Sequence, residues 1–297
     1  MGRYSSELTR VVDDGVSRRD EEPAPRLARL AGIAAPRRDQ RWEGAAPVPT
    51  FGCAYWGRDA GVADRDFASL PGLGFSWVVI PVSTERMRYD RAGAAAVIAA
   101  ARRHGLATRI APWGLGGIFG GEGVVEAGPS PMATLTWWLS CAHELEPDAM
   151  LWDEPHGAPG LQAMAHAMTT LDIPGTAQYL YINPDRSDWP ELPATTSLAG
   201  IGIDAYRSPA IAIAHLPEVR IRYGLPVHVW VRSFALTKRE TSRPANDLSA
   251  LLEAGVNDIG VWGFPSTGCS CLDNADPQRA WNGITATIAR LGEAQAA

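Results

Sequence analysis

Two adjacent acids, Asp153 and Glu154, follow an apolar run and precede a proline. The run at 149–152, Ala-Met-Leu-Trp, has the composition of a buried strand, and Pro155 cannot continue a strand ladder because it has no backbone N–H. Both carboxylates are therefore expected where a strand stops. In parallel α/β proteins the C-terminal ends of the strands form the active site, so this pair predicts acid/base chemistry.

Aromatic, amide and charged side chains stand at the other proposed strand ends. A sugar ring packs its apolar C–H face on an aromatic ring while its hydroxyls bind polar side chains, so this mixture is typical of a carbohydrate site. A single tryptophan at such a position is more often barrel core, and the repetition at five run ends is what indicates a binding rim. We expect the substrate contacts to be Tyr55, Trp56, Trp113, His156, Asn183, Tyr206, Trp230, Arg232 and Trp262.

Glycoside hydrolysis uses two carboxyl groups, one protonated to donate to the leaving oxygen and one ionised. Glu154 is predicted to be the general acid/base, because the apolar Trp152 and Pro155 and the like charge of Asp153 all favour a protonated carboxyl. Neighbouring side chains along a strand point to opposite faces. Asp153 and Glu154 therefore share the lumen only where a bulge or the strand end rotates one of them.

The second carboxylate has several candidates besides Asp153. Asp204 ends the sixth proposed strand, two strands from Glu154 around a barrel, where carboxyl groups are expected roughly 5 to 10 Å apart. Glu122 and Asp59 are loop acids after the third and first strands. The sequence predicts Asp153 or Asp204 as the partner of Glu154.

The motif Trp-Asp-Glu-Pro at 152–155 resembles the Asn-Glu-Pro signature of clan-A (β/α)8 glycoside hydrolases. This resemblance implies that Glu154 is the acid/base glutamate, with Asp153 in place of the usual asparagine. The clan's nucleophile is a glutamate at the end of strand seven, where this chain has Val-Trp-Val-Arg at 229–232 and Glu240 in the following loop. The resemblance therefore does not extend to the double-displacement nucleophile.

The adjacent Asp-Glu pair is also similar to that of hexosaminidases with substrate-assisted catalysis. That resemblance implies that Asp153 orients the 2-acetamido group of the substrate, which acts as the nucleophile. Chitinase-like barrels have a related layout; Asp204-Ala205-Tyr206 and Trp262 resemble it in altered order, without the D-x-x-D-x-D-x-E motif.

Two other functions fit the same residues. A metal-dependent sugar isomerase or epimerase could use the set Asp153, Glu154, His156, Asp204 and His228, although the chain has no HExxH motif. His228 lies below the rim and is predicted to be a hydrogen-bonded core histidine. A non-catalytic carbohydrate-binding barrel would account for the missing strand-seven glutamate. We expect no metal and no cofactor.

The elements that would position these residues alternate strand with helix, which predicts a single (β/α)8 TIM barrel over 46–297. An open doubly wound sheet is the alternative, but the glycine cluster at 114–121 lacks a phosphate-loop pattern. The predicted strands are 50–56, 76–82, 107–112, 149–154, 177–182, 198–204, 227–231 and 258–262. The predicted helices are 90–104, 131–146, 161–171, 209–223, 246–254 and 279–291.

Composition limits the partners. The chain of 297 residues has a net charge of −6. It therefore lacks the excess of positive charge that attracts nucleic acid or an anionic membrane. It shows no apolar run of membrane-span length and no signal-peptide core, so we expect a cytoplasmic enzyme acting on a small carbohydrate. Residues 1–45 are charged and are predicted to form a mobile N-terminal arm. The four cysteines form no zinc spacing.

Overall fold

Eight parallel strands close into a barrel in chain order, which confirms the predicted TIM-type fold. The structure is a computed structural model that describes residues 48–113, 139–152, 173–185, 189–192, 196–265 and 274–296. The strands are β1 Thr50–Ala54, β2 Trp77–Ser83, β3 Ala107–Trp113, β4 Ala149–Trp152, β5 Ala177–Ile182, β6 Gly200–Ala205, β7 Val227–Arg232 and β8 Asp258–Trp262. The predicted continuation of β4 to residue 154 lies outside the described residues.

Helices follow most strands and pack on the outside of the barrel. They are α1 Ala60–Phe67, α2 Thr84–Arg103, α3 Pro209–Tyr223, α4 Arg243–Glu253 and α5 Pro277–Ala296, with a 3-10 turn at Pro71–Leu73 and helical residues at 139–145. Gly105 and Gly224 follow α2 and α3 at φ +72° and +63°, as expected for glycine stops. The arm at 1–45, the predicted helix at 161–171 and the glycine cluster at 114–121 fall outside the described residues.

Alternation along the strands separates two apolar cores. Residues such as Cys53, Val78 and Trp152 belong to the outer core, between the barrel and its helices. The inner core fills the lumen with Ala54, Trp77, Val79, Ala111, Leu151, Tyr181, Trp230 and Trp262. Each strand therefore contributes alternate side chains to the lumen, as a parallel barrel requires.

Large aromatic rings in the lumen lie against glycines of the adjacent strand. The strand register places Trp77 beside Gly52, Tyr181 beside Gly202, and Trp230 beside Gly260. A Cβ atom on any of these glycines would lie 2.0 to 2.4 Å from the partner ring. Because real Cβ atoms do not approach so closely, glycine is what allows three large rings to share one lumen.

A buried ion-pair network fills the N-terminal end of the lumen. Asp258, the first residue of β8, accepts hydrogen bonds from Arg109 Nη1 at 3.0 Å and from Trp77 Nε1 at 3.0 Å. Thr50 Oγ1 donates to the same carboxylate at 2.8 Å, and His228 Nδ1 lies 3.1 Å from it. The Arg109 guanidinium also lies 3.7 Å from the centre of the Trp77 ring. The contacts with the Asp258 carboxylate therefore link strands β1, β2, β3, β7 and β8 at this end of the barrel.

Candidate active site at the C-terminal rim

Four of the predicted aromatic residues meet at the C-terminal end of the barrel around Trp262. The ring centre of Trp262 lies 4.8 Å from that of Trp230, 6.1 Å from that of Trp56 and 6.4 Å from that of Tyr206. Phe234 extends the group, with its ring centre 5.4 Å from that of Tyr206. We call Trp56, Tyr206, Trp230, Phe234 and Trp262 the aromatic cluster.

The cluster has a floor and a wall. Trp230 is 2% exposed and Trp262 is 7% exposed, so their rings form the buried floor. Trp56, Tyr206 and Phe234 remain partly exposed and are the rings that could stack on a ligand. Both residues were expected to contact the substrate; their rings are packed within the lumen, and a contact with a substrate stays a prediction.

Asp204 lies beside this cluster near the end of β6. The strand register pairs its Cα with that of Trp230, and its side-chain atom Oδ1 is buried. Asp204 is two residues after Gly202 on the same strand, so it faces the same side of the strand as Gly202. Gly202 lies against the lumen ring of Tyr181. Asp204 is therefore a partly buried carboxylate at the position predicted for a second acid.

Arg232 ends β7 but directs its guanidinium to its own loop. Its Nε donates to the carbonyl of Phe234 at 3.0 Å and its Nη2 to that of Ala235 at 2.7 Å. Its Nη1 lies 3.8 Å from Glu240 Oε1. These contacts hold the loop that carries Phe234, and a contact of Arg232 with a substrate stays a prediction.

The Glu240 carboxylate likewise makes hydrogen bonds within its own loop. Its Oε2 accepts hydrogen bonds from the backbone N–H of Thr237 at 3.1 Å and from the Thr237 hydroxyl at 2.9 Å. These hydrogen bonds, with the nearby charges of Arg232 and Arg243, lower the pKa of Glu240. The Glu240 carboxylate therefore caps its own loop through Thr237.

Tyr55 lies on the other side of the barrel wall and not at the rim as expected. Ala54 points into the lumen, so Tyr55, the next residue, points outward, where its ring packs 4.6 Å from that of Phe67. Its hydroxyl donates to Asp66 Oδ2 at 2.8 Å. Burial, reinforced by Asp66, raises the pKa of Tyr55 far above its usual value.

Asn183 and Asp59 have local structural contacts. Asn183 Oδ1 accepts from the backbone N–H of Asp185 at 2.9 Å, and its carbonyl accepts from Trp189 Nε1 at 2.8 Å. Both bonds shape the loop after β5. Asp59 caps α1 by accepting from the backbone N–H of Val62 at 2.8 Å, a role typical of a solvated loop acid.

Several predicted site residues lie outside the described part of the chain. They are Asp153, Glu154 and His156, the side chain of Trp113, and Glu122. Strand β4 nevertheless ends at Trp152, directly before Asp153, and β3 ends at Trp113. The roles of these residues stay predictions.

His228 belongs to the N-terminal network and not to the rim. It is 1% exposed, and its burial lowers its pKa although the Asp258 carboxylate opposes this. Burial raises the pKa of Asp258, yet the contact with His228 and then the charge and hydrogen bonds of Arg109 hold that pKa well below its usual range. We therefore assign a neutral His228 beside an ionised Asp258. Within the described ranges, no group of three or more potential metal ligands occurs.

Arg58 is a positioning residue that sequence reasoning missed. Its guanidinium donates to the carbonyls of Trp56, Gly57 and Pro81 at 3.2, 2.9 and 2.6 Å. It therefore ties the segment after β1 to β2 and holds Trp56 beside Trp262. The spacing, an arginine two residues after a rim tryptophan, is a signal that becomes meaningful only once the strand pairing is known.

The chain matches no protein-family model and no curated protein. Among solved structures it is similar to a GH5_18 protein from Streptomyces cattleya in complex with GlcNAc, with 14% identity over 83% of this chain and 81% of that chain and a TM-score of 0.53. It is also similar to a D-psicose 3-epimerase in the presence of D-fructose, with 13% identity over 81% and 97% of the two chains and a TM-score of 0.47. The similarity to the GH5_18 protein shows the barrel fold. Among the described helices, none is long and apolar enough to cross a membrane.

Proposed function

We propose that this protein is a glycoside hydrolase-like enzyme acting on a small carbohydrate, with Glu154 as general acid/base. The observation that supports this most is the aromatic cluster beside the Asp204 carboxylate, at the end of the barrel where β4 stops one residue before Asp153. Partly exposed rings next to a carboxylate suit the two surfaces of a sugar. TIM-barrel enzymes place their catalytic residues at this same end.

The proposed chemistry needs a second carboxylate, and Asp204 fits its position. In the barrel order, β6 is separated from β4 by β5 alone, so Asp204 and Glu154 would face one another across a gap of roughly 5 to 10 Å. Glu154 would donate a proton to the leaving oxygen, and an ionised Asp204 would act as nucleophile, general base or stabiliser of the oxocarbenium-like transition state. In the substrate-assisted variant, Asp153 orients a 2-acetamido group instead.

The two schemes differ in which aspartate they require. Turnover of aryl glycosides, including N-acetylglucosaminides because of the GlcNAc in the GH5_18 complex, would be compared for Asp153→Asn and Asp204→Asn. The carboxylate-pair scheme predicts the larger loss for Asp204→Asn, on the order of 10²-fold or more. The substrate-assisted scheme predicts the larger loss for Asp153→Asn and a requirement for the acetamido group. Equal wild-type turnover by both variants contradicts both schemes.

A non-catalytic carbohydrate-binding barrel is the second candidate. The observation that favours it is at the end of β7, where Arg232 is bonded to the backbone of its own loop and no carboxylate occupies the nucleophile position. Calorimetric sugar binding without any glycoside release would support this function. Activity that disappears with a chelator and returns with a divalent metal would instead indicate the metal-dependent isomerase or epimerase.

A further inference from the structure

Two buried polar atoms, on strands β5 and β7, have no hydrogen-bond partner among the described residues. They are the hydroxyl oxygen of Tyr181, which is 3% exposed as a residue, and Nε2 of His228, which is 1% exposed. Leaving such an atom unpaired is destabilising, because burial has removed its hydrogen bonds to water. Two of them in one lumen point to an occupant that satisfies both.

The strand register brings the two side chains together. Tyr181 of β5 is paired with Gly202 of β6, and Gly202 is paired with His228 of β7. Because Gly202 has no side chain, the Tyr181 ring lies over it and approaches the imidazole, with ring centres 5.6 Å apart and the rings edge to face. The two rings meet, but their polar atoms do not bond to each other.

The Asp258 contact determines which hydrogen-bonding role Nε2 has. Asp258 is held ionised by Arg109 and can only accept hydrogen bonds, so His228 Nδ1, 3.1 Å from Oδ2, carries the proton. Arg109 Nη1 lies 3.4 Å from Nδ1, but both groups are donors directed at the same carboxylate oxygen. Burial keeps the imidazole neutral, so Nε2 holds a lone pair and acts as an acceptor.

We propose that an ordered water molecule binds in the lumen between the Tyr181 hydroxyl and His228 Nε2. The water donates one O–H to Nε2 and accepts the phenolic O–H of Tyr181. Trp77 and Trp230 pack against the imidazole and keep this site apart from bulk solvent. Water is the occupant that this site selects, because it combines donor and acceptor in one small molecule.

The test removes the Tyr181 hydroxyl and measures both the unfolding equilibrium and the electron density in the lumen. If the hydroxyl binds water, Tyr181→Phe raises the equilibrium constant for unfolding roughly 5- to 10-fold, about the value of one hydrogen bond. If the hydroxyl is unpaired, the same substitution removes a buried unsatisfied group and lowers that constant. Tyr179→Phe is the matched control, since Tyr179 lies two residues earlier on the same strand and is only partly buried. It should change the constant less than two-fold.

A crystal structure of the whole chain locates the occupant directly. We expect one density peak within hydrogen-bonding distance, about 2.7 to 3.2 Å, of both atoms, and its loss in Tyr181→Phe. Nitrogen-15 spectra should show His228 as the Nδ1–H tautomer with Nε2 accepting a hydrogen bond. A direct bond between Tyr181 and His228, an Nε2–H tautomer, or a lumen without this density would overturn the proposal.

Discussion

Asp258 is the residue on which the N-terminal end of the lumen depends. Its carboxylate receives the guanidinium of Arg109, the Trp77 indole N–H and the Thr50 hydroxyl, and it contacts His228. Removing the negative charge while Arg109 stays buried leaves an uncompensated cation, which is far costlier than losing a surface ion pair. The network therefore depends on a single carboxylate.

We expect Asp258→Asn to lower the free energy of unfolding by about 3 kcal/mol. Denaturant unfolding of the variant measures this, with Glu218→Gln, an exposed site on α3, as the control expected within about 0.5 kcal/mol of wild type. A loss as small as that of the control would mean that Arg109 has found other partners or solvent.

Stability should also fall as the pH is lowered through the histidine range. Burial lowers the pKa of His228 in the folded chain, while the unfolded value is about 6.5. Below pH 6.5 His228 is therefore protonated in the unfolded state but stays neutral in the folded state. The free energy of unfolding then falls by up to about 1.4 kcal/mol per pH unit. The Asp258 contribution, whose folded pKa is depressed, is lost only below about pH 4.

Unfolding of wild type and His228→Asn between pH 7 and pH 5 separates this effect from other titrations. The asparagine amide can still donate to Asp258 but does not titrate. The slope of the free energy of unfolding against pH should therefore be smaller in the variant between pH 7 and pH 5. An unchanged slope would place the responsible group elsewhere.

At the scale of the elements, pairs of an aromatic ring and a glycine determine how the strands pack in the lumen. Gly52 and Trp77 are the tightest pair, because a Cβ on Gly52 would lie 2.0 Å from the indole. Gly72 lies in the 3-10 turn before β2, and a Cβ there would meet nothing within 4 Å. The two glycines are therefore a matched pair for substitution.

Gly52→Ala should destabilise the barrel by about 1 to 3 kcal/mol or more, since Trp77 must move in a packed lumen. Gly72→Ala should lie within about 0.5 kcal/mol of wild type. Thermal unfolding of both variants measures the difference, and equal midpoints would show that the lumen repacks without cost.

The strands were predictable because each is a short apolar run bounded by turn residues, and β5 and β8 match their predicted bounds. The inward or outward direction of a residue at a strand end was harder to predict. Tyr55 and Trp56 are neighbours, yet only Trp56 joins the aromatic cluster. The glycine pairs and the Arg58 contacts depend on register between strands, and a single sequence does not specify register.

At the scale of the whole molecule, the two ends of the barrel differ in kind. The N-terminal end is filled by the Asp258 network, whereas the C-terminal end has the aromatic cluster and Asp204. This division matches the separation of stability and activity in TIM barrels. At the C-terminal end, Trp230 and Trp262 are buried while Trp56, Tyr206 and Phe234 stay partly exposed, which is why the proposed function has its ligand there.

The role of Glu154 is tested most directly by the release of 4-nitrophenol from a panel of nitrophenyl glycosides by wild type, Glu154→Gln and Glu253→Gln. Glu253 is an exposed acid at the end of α4 and serves as the control. We predict that wild type and Glu253→Gln hydrolyse the same glycoside equally, while Glu154→Gln loses about 10²- to 10⁴-fold in turnover and keeps sugar binding within a few-fold. Wild-type turnover by Glu154→Gln, or binding without release by the wild type, would contradict the proposed function.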